Sequence, residues 1–171
     1  MSAEHDMRTV MGEFATGVCV VSTRHRDGSP VGTTVNAVTS VSLDPPLLLV
    51  CLARDSETLA AVTACKCFAV SILAESQREH SARFAAKGEE ARPHEVDFQE
   101  HDLGLPCLPG ALATIACLVS AFHPGGDHVI VLGEVLSMTS AASSPEGEPD
   151  VAPLLFFRGS YTRLADERVA A

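Results

Sequence analysis

Thr34, Asn36, Ser40 and Ser42 are hydroxyl and amide side chains at even spacing within one apolar, β-branched stretch. On an extended chain they share a face with Val38 and could offer donors and acceptors to one flat polar ligand. The same pattern also suits the wetted face of an edge strand. A second group, Arg54-Asp55-Ser56-Glu57-Thr58, combines a guanidinium, two hydroxyls and a helix start. Free backbone N–H groups and the positive end of the helix dipole would favour phosphate there, although ordinary capping accounts for the same residues. A third set, Gly126-Asp127-His128 and Arg158-Gly159-Ser160-Tyr161, places an imidazole, a guanidinium and a phenol next to turn glycines. Turn residues of this kind are common, so neither piece is specific alone.

Other chemistry is excluded more firmly. The sequence has no G-x-S-x-G, H-E-x-x-H, P-loop or strand-linked G-x-G-x-x-G. Its seven histidines are scattered, and Cys65-x-Cys67 lacks the second pair that a zinc site needs. No metal is therefore expected, and most of the six cysteines, lying in apolar runs, read as structural thiols in a reducing cytoplasm. A formal net charge of -10 without any basic run argues against nucleic acid. No apolar stretch approaches the ~20 residues of a membrane helix, and the acidic N-terminus lacks a signal core.

The elements that must position these groups follow from periodicity. Met7, Val10, Met11 and Phe14 form one helical stripe that ends at Thr16-Gly17. Val18–Thr23, Val31–Leu43, Leu47–Ala53, Cys67–Leu73, Leu112–Phe122, His128–Met138 and Leu154–Tyr161 read as strands. A second helix starts at 55–58, and Ser76-x-x-Glu79 matches a capping box opening a third that runs to Ala86. Lys87–Pro109 and Thr139–Pro153 read as long surface loops, and Pro124-Gly125-Gly126-Asp127 as a hairpin turn. Strands without regular helix alternation imply a mainly β fold. The expected architecture is a closed or nearly closed antiparallel barrel in one domain spanning 1–171, with a few short peripheral helices.

Read in order, Phe14-Ala15-Thr16-Gly17-Val18, the block Gly32–Pro46 with its T-x-N-A-x-x-S-V-S-x-D-P-P pattern, and Gly104-Leu105-Pro106 resemble the flavin reductase family with the FMN-binding split-barrel fold. Gly126-Asp127-His128, Gly133-Glu134-Val135 and Pro153-Leu154-x-x-Phe157-Arg158-Gly159-x-Tyr161 extend the resemblance over about residues 8–163. It favours the ligand-binding reading of the polar stretch over the solvated one. The resemblance implies a homodimeric split β-barrel that reduces FAD or FMN with NADH or NADPH. Reduced flavin would then diffuse to the separate oxygenase of a two-component monooxygenase. By position, Thr33, Thr34, Val35, Asn36, Ala37, Ser40 and Ser42 would meet the flavin ring and ribityl chain, with Cys51, Leu52 and Ala53 offering backbone contacts. Ser56 and Thr58 would hold phosphate, Ser81 and Phe84 would close the pocket, and His128, Arg158 and Tyr161 would receive the nicotinamide. Hydride passes directly between cofactors in such enzymes, so no catalytic side chain is expected. No Lys/Arg cluster selects NADPH, which leans the expectation to NADH. Tightly held flavin serving another acceptor, such as a corrinoid or ferric chelate, and a non-catalytic flavin-binding module are the alternatives.

Overall fold

In the computed structural model, residues 6–86, 96–141 and 151–164 are described. The central sheet is built from β2 (Cys19–Arg24), β3 (Pro30–Val35), β4 (Val38–Leu43), β5 (Pro46–Ala53), β6 (Cys67–Ile72), β9 (Ala113–Gly125) and β10 (His128–Ser140). Its order is β3-β2-β6-β9-β10-β5-β4, with every pairing antiparallel. The sheet curls until β3 approaches β5, leaving β3 and β4 as its two free edges: a split barrel. Helix α2 (Glu57–Cys65) packs on β2, β3 and β5, placing Leu59 and Val62 in the main core with Val21, Val50, Leu52, Phe68, Cys117 and Val131.

β2 is buried on both faces, as its unbroken β-branched run implies. Cys19 and Val21 enter the main core, while Val20 joins a second cluster with Val18, Leu73, Phe84, Leu108 and Leu154. That second cluster is covered by α3 (Arg78–Ala85) and lies against a small sheet of β1 (Thr16–Gly17), β11 (Leu155–Phe157) and β12 (Ser160–Thr162). A Cβ on Gly32 would lie 3.0 Å from the Val21 carbonyl oxygen and 3.3 Å from the Phe84 ring. Glycine at this position lets α3 seat closely on β3.

Several sequence expectations change. The stretch 31–43 is not one strand: it breaks at Asn36-Ala37, because β4 turns away to pair with β5 instead of extending β3. A bulge at Val41 then shifts the register, pairing Ser40 with inward-facing Leu48 and Ser42 with outward-facing Leu47. The four polar residues therefore do not share one face. α1 is short (Met7–Met11) and buries none of its stripe; Phe14 lies beyond it and is 67% exposed. The Ser76 capping box is absent, replaced by a 3₁₀ turn over Glu75–Gln77 in which Gln77 Oε1 accepts from the Ala74 N–H at 3.1 Å. The segment read as the loop 87–109 contains β7 (Gln99–Glu100) and β8 (Pro106–Cys107), while residues 87–95 lie outside the described residues. Most of the other loop, 142–150, does too. The last strand is instead a β11–β12 hairpin, turned by Arg158 and Gly159 with φ of 49° and 75°.

Burial pushes the Cys117 thiol up to about 12, and those of Cys19 and Cys107 to about 11, from an ordinary 9.0. The unfolded chain loses these protons near pH 9 while the folded one keeps them, so stability falls as pH rises from about 9 towards about 12. The urea midpoint should accordingly drop between about pH 8 and about pH 10.5. A flat profile over that range would show that these thiols do not keep their protons in the fold.

Candidate functional site

α3, β3 and the C-terminal hairpin meet at Ser81. Its buried Oγ lies 2.8 Å from Tyr161 Oη, and its carbonyl oxygen accepts from Thr34 Oγ1 at 2.7 Å. The phenol is fixed further by the edge of Phe156, with ring centroids 5.6 Å apart, and by the Arg78 guanidinium 5.1 Å from its ring centre. These groups frame a pocket of about 200 Å³ lined by Val18, Thr34, Val35, Asn36, Ser81 and Tyr161, with Ala85 and Phe156 completing its wall. The Thr34 hydroxyl donates within the protein, whereas the Asn36 amide has no hydrogen-bond partner among the described residues. Apolar walls beside one uncommitted amide suit a flat ring that is apolar at one end and polar at the other, such as a flavin.

The pocket is linked to a second corner. Ala37, next to Asn36, accepts from the Cys51 N–H at 3.1 Å. From Cys51 the chain runs through buried Leu52 to Ala53, which pairs with His128 at the start of β10. There the Arg54 N–H donates to the Asp127 carbonyl at 3.0 Å, and the Arg54 guanidinium donates to the Gly126 carbonyl. His128 Nδ1 lies 2.8 Å from Asp127 Oδ1, and this hydrogen bond and the charge of His128 hold the Asp127 carboxyl below its usual range. Gly126-Asp127-His128 of the third sequence group thus shares one corner with Arg54 of the second, although the two are distant along the chain.

The expected site residues divide accordingly. Thr34, Val35, Asn36, Ser81 and Tyr161 come together in the pocket. Ala37, Cys51, Ala53 and His128 continue from it along β5 and β10. Ser56 caps α2, its Oγ accepting from the Leu59 N–H at 3.0 Å, and Thr58 is 2% exposed. Thr33 pairs with Val21, away from the pocket. Ser40 and Ser42 lie on β4, where Ser42 Oγ accepts from the Asp44 N–H at 3.2 Å. Phe84 is buried behind Gly32, its ring tilted against that of Phe98 with centroids 5.7 Å apart, and does not line the pocket. The Arg158 guanidinium pairs with Glu13, with Nη2 2.7 Å from Oε2, and is not among the residues lining the pocket. Val18, Ala85 and Phe156 were not anticipated. Phe156 pairs directly with Tyr161, which reading Arg158-Gly159 as a hairpin turn would have revealed.

A split barrel whose free edge opens onto a pocket of this composition defines a class, and the family comparison identifies it. Residues 11–165 match the flavin reductase like domain, and the chain belongs to that family. Among its relatives is the flavin-dependent monooxygenase reductase subunit HsaB of Mycobacterium tuberculosis, 40% identical over 98% of this chain and 88% of the relative. FMN reductase (NADH) SmoA of Agrobacterium fabrum is 39% identical over 92% of this chain and 84% of the relative. The solved NADH:FAD oxidoreductase SgcE6 of Streptomyces globisporus C-1027, in complex with NAD and FAD fragments, superposes with a TM-score of 0.82. It shares 36% identity and the match covers 94% of this chain and 92% of that one.

Proposed function

We propose that the protein is an NADH-dependent flavin reductase that takes up FAD or FMN, reduces it and releases it to the separate oxygenase of a two-component monooxygenase. The observation that carries this reading is the pocket at the barrel's split, where the uncommitted Asn36 amide faces apolar walls, in a chain of the flavin reductase family. The flavin, when bound, supplies the hydride acceptor. The protein's own residues bind and orient, which is where the rate advantage of such a reaction arises. Asn36 would hold the polar end of the ring. Val18, Ala85 and Phe156 would exclude water from its apolar end. Ser56 and the start of α2 would take a phosphate, and His128, steadied by Asp127, would receive the nicotinamide. Named relatives include both an FMN and an FAD reductase, so the flavin is assigned only as a class.

The chain would act as one unit over 1–171, and as a homodimer. In support of the dimer, β5 and β10 turn Leu47, Leu49, Cys51, Ile130 and Leu132 outward, all of them apolar and half-buried in the single chain. All six cysteines are free, in keeping with the cytoplasm, and no helix among the described residues is long and apolar enough to cross a membrane.

The test asks whether flavin behaves as a substrate. Protein freed of small molecules by gel filtration should carry far less than one flavin per chain and regain NADH turnover when flavin is added. Stoichiometric flavin that survives filtration would favour a resident cofactor and another acceptor. His128→Ala should raise the KM for NADH about fivefold, the loss of one hydrogen bond, while leaving flavin affinity unchanged. An unchanged KM would remove His128 from the nicotinamide site.

A further inference from the structure

We infer that Cys65 and Cys67 form a dithiol that reacts with hydrogen peroxide and closes to an intrachain disulfide, a modification site separate from the flavin pocket. Cys65 is the last residue of α2 and is exposed, while Cys67 opens β6 and is half-buried. Lys66 between them is left-handed, with φ 60° and ψ 22°. This turn folds the Cys65 thiol back on the Cys67 peptide, with Sγ donating to the Cys67 carbonyl at 3.1 Å. Burial, with Cys65 close by, raises the Cys67 thiol to about 11.

Thr23 of β2 completes the group. Its Oγ1 lies 2.9 Å from Cys65 Sγ and donates to the Cys67 carbonyl at 2.9 Å. One rotation of that hydroxyl would aim its hydrogen at a Cys65 thiolate. The remaining cysteines differ in access: Cys19, Cys107 and Cys117 are buried and Cys51 is half-buried, whereas Cys65 is exposed. Peroxide reacts with accessible thiolate, which singles out Cys65 as the attacking sulfur.

The chemistry balances with peroxide as the oxidant. The Cys65 thiolate attacks one peroxide oxygen and the O–O bond breaks, giving a sulfenic acid and hydroxide, which is protonated to water. The Cys67 sulfur then attacks the Cys65 sulfur, the S–O bond breaks, and the departing hydroxide takes the Cys67 proton as a second water. Two thiols are oxidised by two electrons and one peroxide is reduced to two waters. Because only Lys66 separates the two cysteines and its left-handed turn already folds the Cys65 thiol onto the Cys67 peptide, closing the ring costs little chain entropy and competes well with a second peroxide. Reduced flavin released without an acceptor passes two electrons to O₂ and makes hydrogen peroxide. That supply rests on the reductase reading, whereas the dithiol itself does not.

The experiment treats the reduced full chain with hydrogen peroxide, alkylates the remaining thiols and cleaves after glutamate. The peptide from Thr58 to Glu75 contains both cysteines and no others. It should be lighter by about 2 Da than the unalkylated dithiol and should take up alkylating reagent only after treatment with dithiothreitol. Thr23→Val should slow closure severalfold, and Cys65→Ser should abolish it with Cys67 still alkylatable. Both thiols remaining alkylatable, or Cys65 passing to sulfinic acid with Cys67 free, would overturn the assignment. A parallel arm replaces added peroxide with NADH, flavin and air. Closure there that catalase prevents supports the self-supplied oxidant, while closure with added peroxide alone overturns that supply and leaves the dithiol standing.

Discussion

Gly133→Val should cost about 3 kcal/mol and lower the melting temperature by about 6–12 °C. Gly133 is buried in β10 between Leu48 of β5 and Val119 of β9. A Cβ at this position would lie 2.6 Å from Phe68 Cζ and 2.9 Å from Cys117 Cβ. Phe68 is fully buried at the centre of the main core and has no space to retreat. Even alanine should be destabilising there. Phe68→Leu in the same chain should return part of the loss, because the two positions touch and their effects are not additive. Calorimetry of the two single variants and the double variant decides the point. A Gly133→Ala protein melting with the wild type would show that the wall yields at no cost.

Asn36→Ala should weaken flavin binding about 30- to 100-fold, as expected for the loss of two hydrogen bonds to a ring held against apolar walls. The fold should not register the change, since the side chain is exposed and makes no internal hydrogen bond among the described residues. Flavin fluorescence titration paired with a thermal melt separates the two effects. Affinity within about threefold of the wild type would remove Asn36 from the site. A fall in melting temperature would instead assign it a structural role. Thr34→Val makes a useful contrast. Its hydroxyl is committed to the Ser81 carbonyl, so that change should act first on how α3 is seated.

The two predictions mark what could be read in the sequence and what could not. The strands with strong periodicity were legible: β2, β5, β6, β9 and β10 fall within a few residues of the apolar runs that announce them. The polar stretch 34–42 was legible as a site but not as a shape. Period two holds only along an unbroken strand, and here the break at Asn36-Ala37 and the bulge at Val41 each reset it. Gly133 could be seen as part of a family pattern, but its reason, the Phe68 ring pressed against β10, exists only after β6, β9 and β10 are assembled. Likewise, no local signal joins Ser81 to Tyr161, because that hydrogen bond spans 80 residues and depends on where the hairpin turn at Arg158-Gly159 sends the chain. α1 shows the converse. Its stripe reads as a packed face, yet Met7, Val10, Met11 and Phe14 are all exposed in the single chain.

The most direct measurement is the consumption of NADH by the purified chain, followed by absorbance, with no flavin and then with FAD, FMN or riboflavin added and no oxygenase present. A flavin reductase that releases its product should be nearly inactive alone, turn over rapidly with at least one flavin, and show saturation in both flavin and NADH. No NADH consumption with any of the three, in a folded protein that demonstrably binds flavin, would contradict the reductase reading and leave a flavin-binding protein without turnover.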